Sequence, residues 1–333
     1  KMNILLLSAG RRNLIVRYFK ENLSPIGGKI FAADSSPMAA ALYEADKSFI
    51  VPPFGDNHYI DTIISICKDN NIKAVLSLVD PELSLLAEKS DNFKAQGIFP
   101  IISEKDLVET CFDKYLLHTF LLNNGFKSIP SFVSLADVEE KLATGELQFP
   151  LFLKPRKGSA SIGLIKVDTI EQLRMSFAKE PGMMIQKFMT AREWGVDIYI
   201  DFHNKKVIHI FPKKKLLMRS GETDKAIGIK EQQLMSLCKE VVQKLGLVGP
   251  IDMDCFETDE GFVVSEINPR FGGGYPLAYK SGANFMELLL NNINGIANEP
   301  KIGNFKEGLH MFKFVEAVFA DKNLVQNLIE KRT

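Results

Sequence analysis

The sequence has no excess of charge of either sign and no long hydrophobic run. Its 333 residues carry 41 Lys and Arg against 41 Asp and Glu, so the chain as a whole has no positive field to hold nucleic acid or an anionic membrane. Its longest apolar runs, such as residues 4–7 and 149–153, are far shorter than the roughly 18 residues of a membrane-spanning helix. We therefore expect a soluble protein that acts on small molecules.

Cysteine is scarce and scattered. Cys67, Cys111, Cys238 and Cys255 show no CxxC spacing, which argues against a disulfide framework, and we expect each to be a small buried apolar residue. The amino-terminal residues lack the basic region and small-residue cleavage site of a secretory signal. Together these features predict a cytoplasmic protein.

Several motifs of nucleotide-binding and hydrolytic enzymes are missing. The first apolar run is followed by Gly10 alone rather than by GxGxxG, and no GxxxxGK[ST] sequence occurs. The five histidines form no HExxH pattern, and no GxSxG sequence is present. A dinucleotide fold, a P-loop, zinc chemistry and a serine hydrolase therefore have no support.

Apolar runs and helical stretches alternate over the first hundred residues. The apolar runs lie at 3–7, 29–33 and 74–79, and the helical stretches lie at 14–21, 38–45 and 82–88. This alternation predicts a parallel sheet covered by helices. The turns at Arg11, Asp34 and Asp80 would then meet at the edge where such sheets bind ligands, although these residue types also cap helices. Both interpretations stay open.

From about residue 130 the pattern changes to antiparallel strands with interspersed helices. Residues 149–167 predict a strand, a polar loop and a second strand. The loop offers unhindered backbone N–H groups, hydroxyls and positive charge through Lys157, Gly158, Ser159 and Ser161. These groups suit a triphosphate, and a plain hairpin loop is the alternative.

A second hairpin carries the densest cluster of polar groups. If its turn is centred on residue 260, Asp254 lies opposite Glu266 and Asp252 lies opposite Asn268. All four side chains then share one face, because side chains two residues apart in a strand point the same way. Facing carboxylates repel, and Mg²⁺ would neutralise them; a solvated face is the alternative. We place three apolar residues on the opposite face: Cys255, Val263 and Ile267.

The Glu-Ile-Asn-Pro-Arg string at residues 266–270 resembles the most specific mark of the ATP-grasp superfamily. The chain is most similar to its carbamoyl-phosphate-synthase-like group of carboxylate–amine ligases. The resemblance implies a mixed α/β and α+β fold. Its parts would be a Rossmann-like pre-ATP-grasp domain (1–105), a small subdomain with a glycine-rich loop (106–190), a metal-binding subdomain (191–300) and a C-terminal extension (301–333).

The same resemblance implies ATP and Mg²⁺ as cofactors, with Mn²⁺ as an alternative metal. It assigns Asp254, Glu266 and Asn268 to the metal, and Arg270 to the phosphates or an acyl intermediate. The nucleotide would be bound by Lys114 and Lys154 as phosphate-binding lysines, the loop residues Lys157, Gly158, Ser159 and Ser161, Gln186 at the adenine edge, backbone groups of Lys187 and Met189, and Glu193 at the ribose.

The basic segment at residues 209–229 is where such a fold places its substrate. Arg219 and Glu222 frame a glycine, and one could hold a carboxylate and the other an amine; Lys213 to Lys215 are equally consistent with a solvated sheet edge. The predicted reaction activates a carboxylate as an acyl phosphate and joins it to an amine. The alternatives are a kinase-like phosphotransferase and a catalytically silent nucleotide-binding protein, and a homo-oligomer stays open.

Overall fold

The first apolar runs form a five-stranded parallel sheet. The computed structural model of the chain describes residues 1–158 and 163–330. The strands are β1 (Asn3–Leu7), β2 (Lys29–Asp34), β3 (Lys47–Ile50), β4 (Ile72–Ser77) and β5 (Phe99–Pro100), in the spatial order β3-β2-β1-β4-β5. The helices beside them are α1 (Asn13–Leu23), α2 (Tyr59–Asp69), α3 (Asp80–Glu88) and α4 (Ser90–Lys94). The predicted parallel sheet is confirmed, because every pairing in it is parallel.

Two local predictions in this region differ from the structure. Residues 38–45 do not form a regular helix, since only the 3-10 turn Ala40–Tyr43 follows Pro37 before β3 begins. The helix α2 has no counterpart among the predicted helical stretches. Its isoleucine-rich sequence has only moderate intrinsic helix propensity, and the helix buries Tyr59, Ile63 and Ile66 at helical spacing against the sheet. Tertiary burial therefore decides its conformation.

A small antiparallel sheet follows in the chain. Its strands are β6 (Ser131–Phe132), β7 (Leu151–Pro155), β8 (Ile165–Val167) and β9 (Met183–Lys187), in the order β6-β9-β7-β8. The helices of this part are α5 (Lys105–Phe112), α6 (Lys114–Asn123), α7 (Leu135–Ala143) and α8 (Ile170–Lys179). Leu151, Leu153 and Ile185 belong to its own apolar core, which is separate from the cores of the other two sheets. The predicted strand–loop–strand at residues 149–167 is confirmed.

The largest sheet is antiparallel and has six strands. They are β10 (Arg192–Ile200), β11 (Val207–Arg219), β12 (Glu222–Gly228), β13 (Gly249–Thr258), β14 (Gly261–Asn268) and β15 (His310–Phe312), in the order β14-β13-β10-β11-β12-β15. The remaining helices are α9 (Gln232–Leu245), α10 (Tyr275–Lys280), α11 (Phe285–Ile293) and α12 (Lys322–Glu330). One apolar core joins this sheet to the parallel sheet, as Leu6, Ile198 and Phe271 illustrate. The two sheets are therefore fixed relative to each other by burial.

Two further expectations concern cysteine and membrane segments. All four cysteines are free and buried, as the sequence predicts. Within the described ranges, no helix is both long enough and apolar enough to cross a membrane. The subdomain boundaries at residues 105, 190 and 300 stay predictions, and β15 lies beyond the last of them although it pairs with β12.

A buried aspartate fixes the end of β10. The carboxylate of Asp201 is fully buried and accepts hydrogen bonds from the backbone N–H groups of His203 (2.8 Å) and Asn204 (3.0 Å). It also accepts from the side chain of Asn292 (2.7 Å) and from the backbone and side chain of Asn298 (2.8 and 2.9 Å). Burial raises the pKa of Asp201, but these donors outweigh it and lower the pKa to about 2. The ionised carboxylate is thus the stable form.

Replacing this carboxylate tests its contribution to stability. Asp201→Ala leaves several buried donors without an acceptor, and we expect the free energy of unfolding at neutral pH to fall by about 3 kcal/mol. Asp168→Ala is the control, because Asp168 is exposed and pairs only with exposed Lys166, so a change of about 0.5 kcal/mol or less is expected. Calorimetric unfolding measures both. Equal unfolding midpoints for the two variants would contradict this role of Asp201.

Candidate active site

A cleft of about 660 Å³ opens where the three sheets meet. Asp80, at the carboxyl end of β4, lines it from the parallel sheet. Lys154 on β7 and Gln186 on β9 line it from the small sheet, and Asp254 and Glu266 line it from the large sheet. Residues far apart in the sequence are thus brought to one concave surface, the usual location of a ligand site.

The hairpin of β13 and β14 supplies the floor of the cleft. Asp254 pairs with Glu266 and Asp252 pairs with Asn268, so both predicted pairs are confirmed. The turn itself is tighter than predicted, because Thr258 already pairs with Gly261. A β-bulge at Ser265, which has no opposite residue, then shifts the register by one and brings the predicted pairs together.

The bulge corrects one placement. Val263 pairs with Phe256, which is two residues from Asp254, so Val263 lies on the same face as the carboxylates. The prediction that Val263 lies on the opposite face is wrong, and Val264 occupies that face beside Cys255 in the main core.

Five carboxylates share the cleft side of the large sheet, and we call this set the acidic face. It consists of Glu193 and Asp197 on β10, Asp252 and Asp254 on β13, and Glu266 on β14. Such a concentration of like charge requires cations close by. Two lysines of β11 provide them: Lys213 contacts Asp197 at 2.5 Å, and Lys215 contacts Asp254 at 2.8 Å and Glu193 at 3.4 Å.

These contacts overturn the solvated-edge interpretation of residues 213–215. The strand β11 is internal to its sheet, with β10 and β12 on either side. The side chains of Lys213 and Lys215 are only 1% and 5% exposed. Gly195 makes room for both, because a Cβ atom there would lie 3.0 Å from Cε of Lys213 and 3.4 Å from Cε of Lys215.

The electrostatics of the floor follow from burial and crowding. Burial raises the pKa of Asp254 above its usual value; Lys215 opposes this shift, while Asp252 and Glu266 add to it. Burial alone would lower the pKa of Lys215, but the carboxylates around it outweigh burial and raise the pKa. Lys215 is therefore a permanent cation.

Arg270 connects the floor to the parallel sheet. Its guanidinium donates two hydrogen bonds to Asp80, at 2.8 and 3.1 Å, and a third to Asp252 at 3.4 Å. A further bond goes to the carbonyl oxygen of Phe271 at 3.2 Å. The side chain of Arg270 is only 11% exposed. Asp80 and Asp252, whose roles the sequence left open, are thus partners of this arginine.

Three oxygen-bearing side chains of the floor fit a divalent cation. Asp254, Glu266 and Asn268 share one face and all line the cleft. Among the described residues, no group of three or more His, Cys, Asp or Glu side chains is arranged to hold a metal. A cation at this floor therefore needs ligands from a bound molecule, which is how Mg²⁺ is usually held.

Two lysines face the floor from the opposite wall. Lys154 is 9% exposed, and burial lowers its pKa to about 8, with Glu266 opposing the shift and Lys114 adding to it. Lys114, the first residue of α6, donates to the carbonyl oxygen of Gly158 at 2.5 Å. Both lysines and Gly158 line the cleft, as the predicted phosphate site requires.

The predicted adenine and ribose residues line the cleft as well. Gln186 is buried and donates to the hydroxyl of Ser131 at 2.8 Å, so part of its amide already has a partner. The backbone N–H of Lys187 donates to the carbonyl of Pro130. In the described parts of the chain, the N–H of Met189, between β9 and β10, makes no hydrogen bond. Glu193 enters from β10.

Other predicted site residues lie elsewhere. Lys157 is half exposed and pairs with Glu109 at 2.7 Å, away from the cleft lining. Arg219 is 63% exposed and contacts Asp224 at 3.4 Å, whereas Glu222 does line the cleft. Ser159 and Ser161 lie outside the described residues.

The sequence reasoning missed the cations that balance the acidic face and the arginine after the first strand. Arg12 lines the cleft and contacts Glu222 at 3.2 Å. Its position at the carboxyl end of β1, next to the point where the strand order reverses, was an available signal. Lys213 and Lys215 could be recognised only once β11 was known to be internal.

Two family models match parts of this chain. Residues 4–102 match the PylC-like, N-terminal domain, and residues 179–316 match the ATP-grasp in the biosynthetic pathway with Ter operon. Among curated proteins, the chain is 30% identical over 201 residues to a D-alanine–D-alanine ligase of Thermotoga maritima, covering 54% of this chain and 65% of that protein. The chain spans less than two thirds of the length of the first curated relatives it matches.

Solved structures share the fold at low sequence identity. A biotin carboxylase–βγ-ATP complex from Campylobacter jejuni has a TM-score of 0.75 at 16% identity, covering 93% of this chain and 74% of that one. An N5-carboxyaminoimidazole synthetase from Staphylococcus aureus, complexed with ADP, has a TM-score of 0.71 at 14% identity, covering 90% and 79%. The predicted fold class is confirmed by this likeness.

The glycines after Arg270 allow a direct test of the floor. A Cβ atom on Gly272 would lie 2.2 Å from a carboxylate oxygen of Asp252, so Gly272→Ala must displace Asp252 from Arg270. We expect the free energy of unfolding to fall by about 2 kcal/mol. Gly55→Ala is the control, because a Cβ atom there meets nothing within 4 Å. If both variants unfold at the wild-type temperature, the close packing of the floor is refuted.

Proposed function

The chain combines a PylC-like N-terminal domain with an ATP-grasp domain, and from this premise we propose that it is an ADP-forming carboxylate–amine ligase. One observation carries the proposal: a single cleft holds the buried cation Lys154 opposite the oxygen ligands Asp254, Glu266 and Asn268. A phosphate chain with a divalent cation fits between these two walls, because the lysine faces its oxygens and the carboxylates face its metal.

The nucleotide lies along the wall formed by the small sheet. The unpaired N–H of Met189 and the amide of Gln186 face the adenine, and Glu193 accepts from the ribose hydroxyls. Lys154 and Lys114 contact the phosphates. Lys114 must exchange the carbonyl of Gly158 for a phosphate oxygen, since its ammonium donates to that carbonyl here.

Asp254, Glu266 and Asn268 hold Mg²⁺, with Mn²⁺ as a substitute, together with phosphate oxygens. The metal neutralises charge on the phosphoryl group during its transfer. Lys215 keeps the site from becoming too negative for a nucleotide, because it already balances Asp254 and Glu193. Arg270 orients Asp252 and closes the floor against the parallel sheet.

The reaction has two steps. A substrate carboxylate oxygen attacks the γ-phosphorus of ATP, the bond to the β-phosphate oxygen breaks, and ADP leaves from an acyl phosphate. An amine nitrogen then bonds to the acyl carbon, the carbon–oxygen bond to phosphate breaks, and the amine loses a proton. No protein nucleophile is needed, so Lys154 and Lys114 act by positioning and by charge.

Product analysis tests the class of reaction. We expect ADP release from ATP and Mg²⁺ that depends on both a carboxylate and an amine, screened over amino acids and small carboxylates. Release that depends on the carboxylate but needs no amine would instead identify a phosphotransferase. Nucleotide binding without any turnover would identify a silent binding protein.

The metal ligands are tested by conservative substitution. Glu266→Gln and Asn268→Ala are expected to reduce ATP turnover by about a hundredfold or more without changing the unfolding temperature, because each removes an oxygen ligand. Glu257→Gln is the matched control, since Glu257 lies on β13 outside the cleft lining and pairs with Arg192. A Glu266→Gln protein with wild-type turnover at ordinary Mg²⁺ concentrations would remove the assignment.

The depressed pKa of Lys154 predicts a pH dependence. Free Lys154 loses its proton near its pKa of about 8, so ADP affinity should weaken by about tenfold as the pH rises from 7 to 9.5. Lys154→Arg stays charged and should bind with little pH dependence, whereas Lys154→Met should bind weakly throughout. Calorimetry measures the affinities. Lys166→Met, at an exposed residue of β8, should keep the wild-type profile; a wild-type profile in Lys154→Arg would contradict the role of Lys154.

A further inference from the structure

Three charged side chains from distant parts of the chain meet at the end of the cleft away from Met189, and we call them the Arg–Glu–Lys triad. Arg12 comes from the loop after β1, Glu222 begins β12, and Lys313 follows β15. The Glu222 carboxylate lies 3.2 Å from the Arg12 guanidinium and 3.5 Å from the Lys313 ammonium. All three segments must be in place for the triad to form.

Each cation of the triad is held in position by its backbone or surroundings. The N–H of Lys313 donates to the carbonyl of Asp224 at 3.0 Å, which anchors the segment after β15 on β12. Gly273 brings the backbone against the triad, because a Cβ atom there would lie 3.3 Å from Glu222 and 3.4 Å from Arg12. The triad is thus built into the wall of the cleft.

The triad keeps hydrogen-bonding capacity for a ligand. Within residues 1–158 and 163–330, Glu222 is the only ion-pair partner of the Arg12 guanidinium, and its other N–H groups have no protein acceptor. The side chains of Arg12 and Lys313 are 28% and 24% exposed, and that of Glu222 is 42% exposed. A small molecule in the cleft can therefore reach all three groups.

The charges of the triad select the kind of molecule it accepts. Two cations face one carboxylate, so the triad has a net charge of one positive unit. A simple anion would face Glu222 as an uncompensated like charge, and a simple amine would face two cations. A group that carries an ammonium and a carboxylate on neighbouring atoms satisfies all three side chains at once.

We propose that the Arg–Glu–Lys triad binds the amino-acid head group of the amine substrate, with its carboxylate on Arg12 and Lys313 and its amine at Glu222. This inference rests on the proposed function, and it names the substrate class of the same cleft. It also gives Glu222 a cation partner that lines the cleft, which exposed Arg219 does not.

The triad lies beside the floor where the carboxylate is activated. Burial lowers the pKa of Arg12, and the charges of Glu222, Arg270, Asp252 and Asp80 also act on it. Arg12 is therefore adjacent to the network that holds the floor. An amine at Glu222 is within the same cleft as Glu266 and Asn268, as attack on an acyl phosphate there requires.

Direct binding to the full chain tests the triad apart from turnover. The probes are the common amino acids, each with its carboxamide, which lacks the carboxylate, and its α-hydroxy acid, which lacks the amine. Calorimetry is done with Mg²⁺ and a non-hydrolysable ATP analogue present. We expect at least one amino acid to bind about tenfold or more tightly than either of its analogues.

Two variants separate the contacts. Glu222→Gln should remove the preference for the amino acid over the α-hydroxy acid but keep the preference over the carboxamide. Arg12→Gln and Lys313→Met should do the reverse. Arg174→Gln and Glu139→Gln are matched controls, because this pair also forms an ion pair, at 2.7 Å, but lies outside the cleft lining. Both controls should keep both preferences.

Three results would overturn the triad assignment. One is wild-type protein that binds an amino acid and both analogues equally, and another is a set of triad variants that weaken all three probes by the same factor. The third is binding of the nucleotide analogue with no amino acid bound, which leaves the proposed ligase intact but rejects this substrate class. Absence of nucleotide binding would instead contradict the proposed function itself.

Discussion

The structure depends on the neutralisation of the carboxylates on one side of its largest sheet. Five carboxylates of the acidic face approach one another on neighbouring strands, an arrangement that is unfavourable without cations nearby. Lys213 and Lys215 supply them from β11, and Arg270 supplies another while it holds Asp80 of the parallel sheet. The same charge balance therefore stabilises the sheet, joins two layers of the protein and leaves Asp254 and Glu266 facing a cleft.

Much of the fold could be predicted because periodicity reports burial. The parallel sheet and the two hairpins follow from apolar runs and turn residues, and the structure confirms them. The helix α2 could not be predicted this way, since its isoleucines read equally well as strand. The register of β13 and β14 was predicted correctly although the reasoning omitted the bulge at Ser265, which offsets a turn one half-residue from its assumed centre. The error remains visible at Val263.

The site divides in the same way. Local strings such as residues 266–270 point to their chemistry directly, and Lys154, Glu222 and Asp254 all line one cleft. Partners across the fold cannot be read from such strings. Residues 213–215 read as a solvated edge because three adjacent lysines usually are exposed, and only the position of β11 inside the sheet makes two of them buried counter-charges.

The central claim is that Asp254, Glu266 and Asn268 form a divalent-cation site that is completed by a nucleotide. Electron paramagnetic resonance of Mn²⁺ titrated into the full chain with and without ADP tests it most directly. The account predicts a protein-bound Mn²⁺ signal that requires ADP and is lost in Glu266→Gln, while Glu257→Gln retains it. Bound Mn²⁺ of equal affinity in wild type and Glu266→Gln, or a signal indifferent to ADP, would contradict the account.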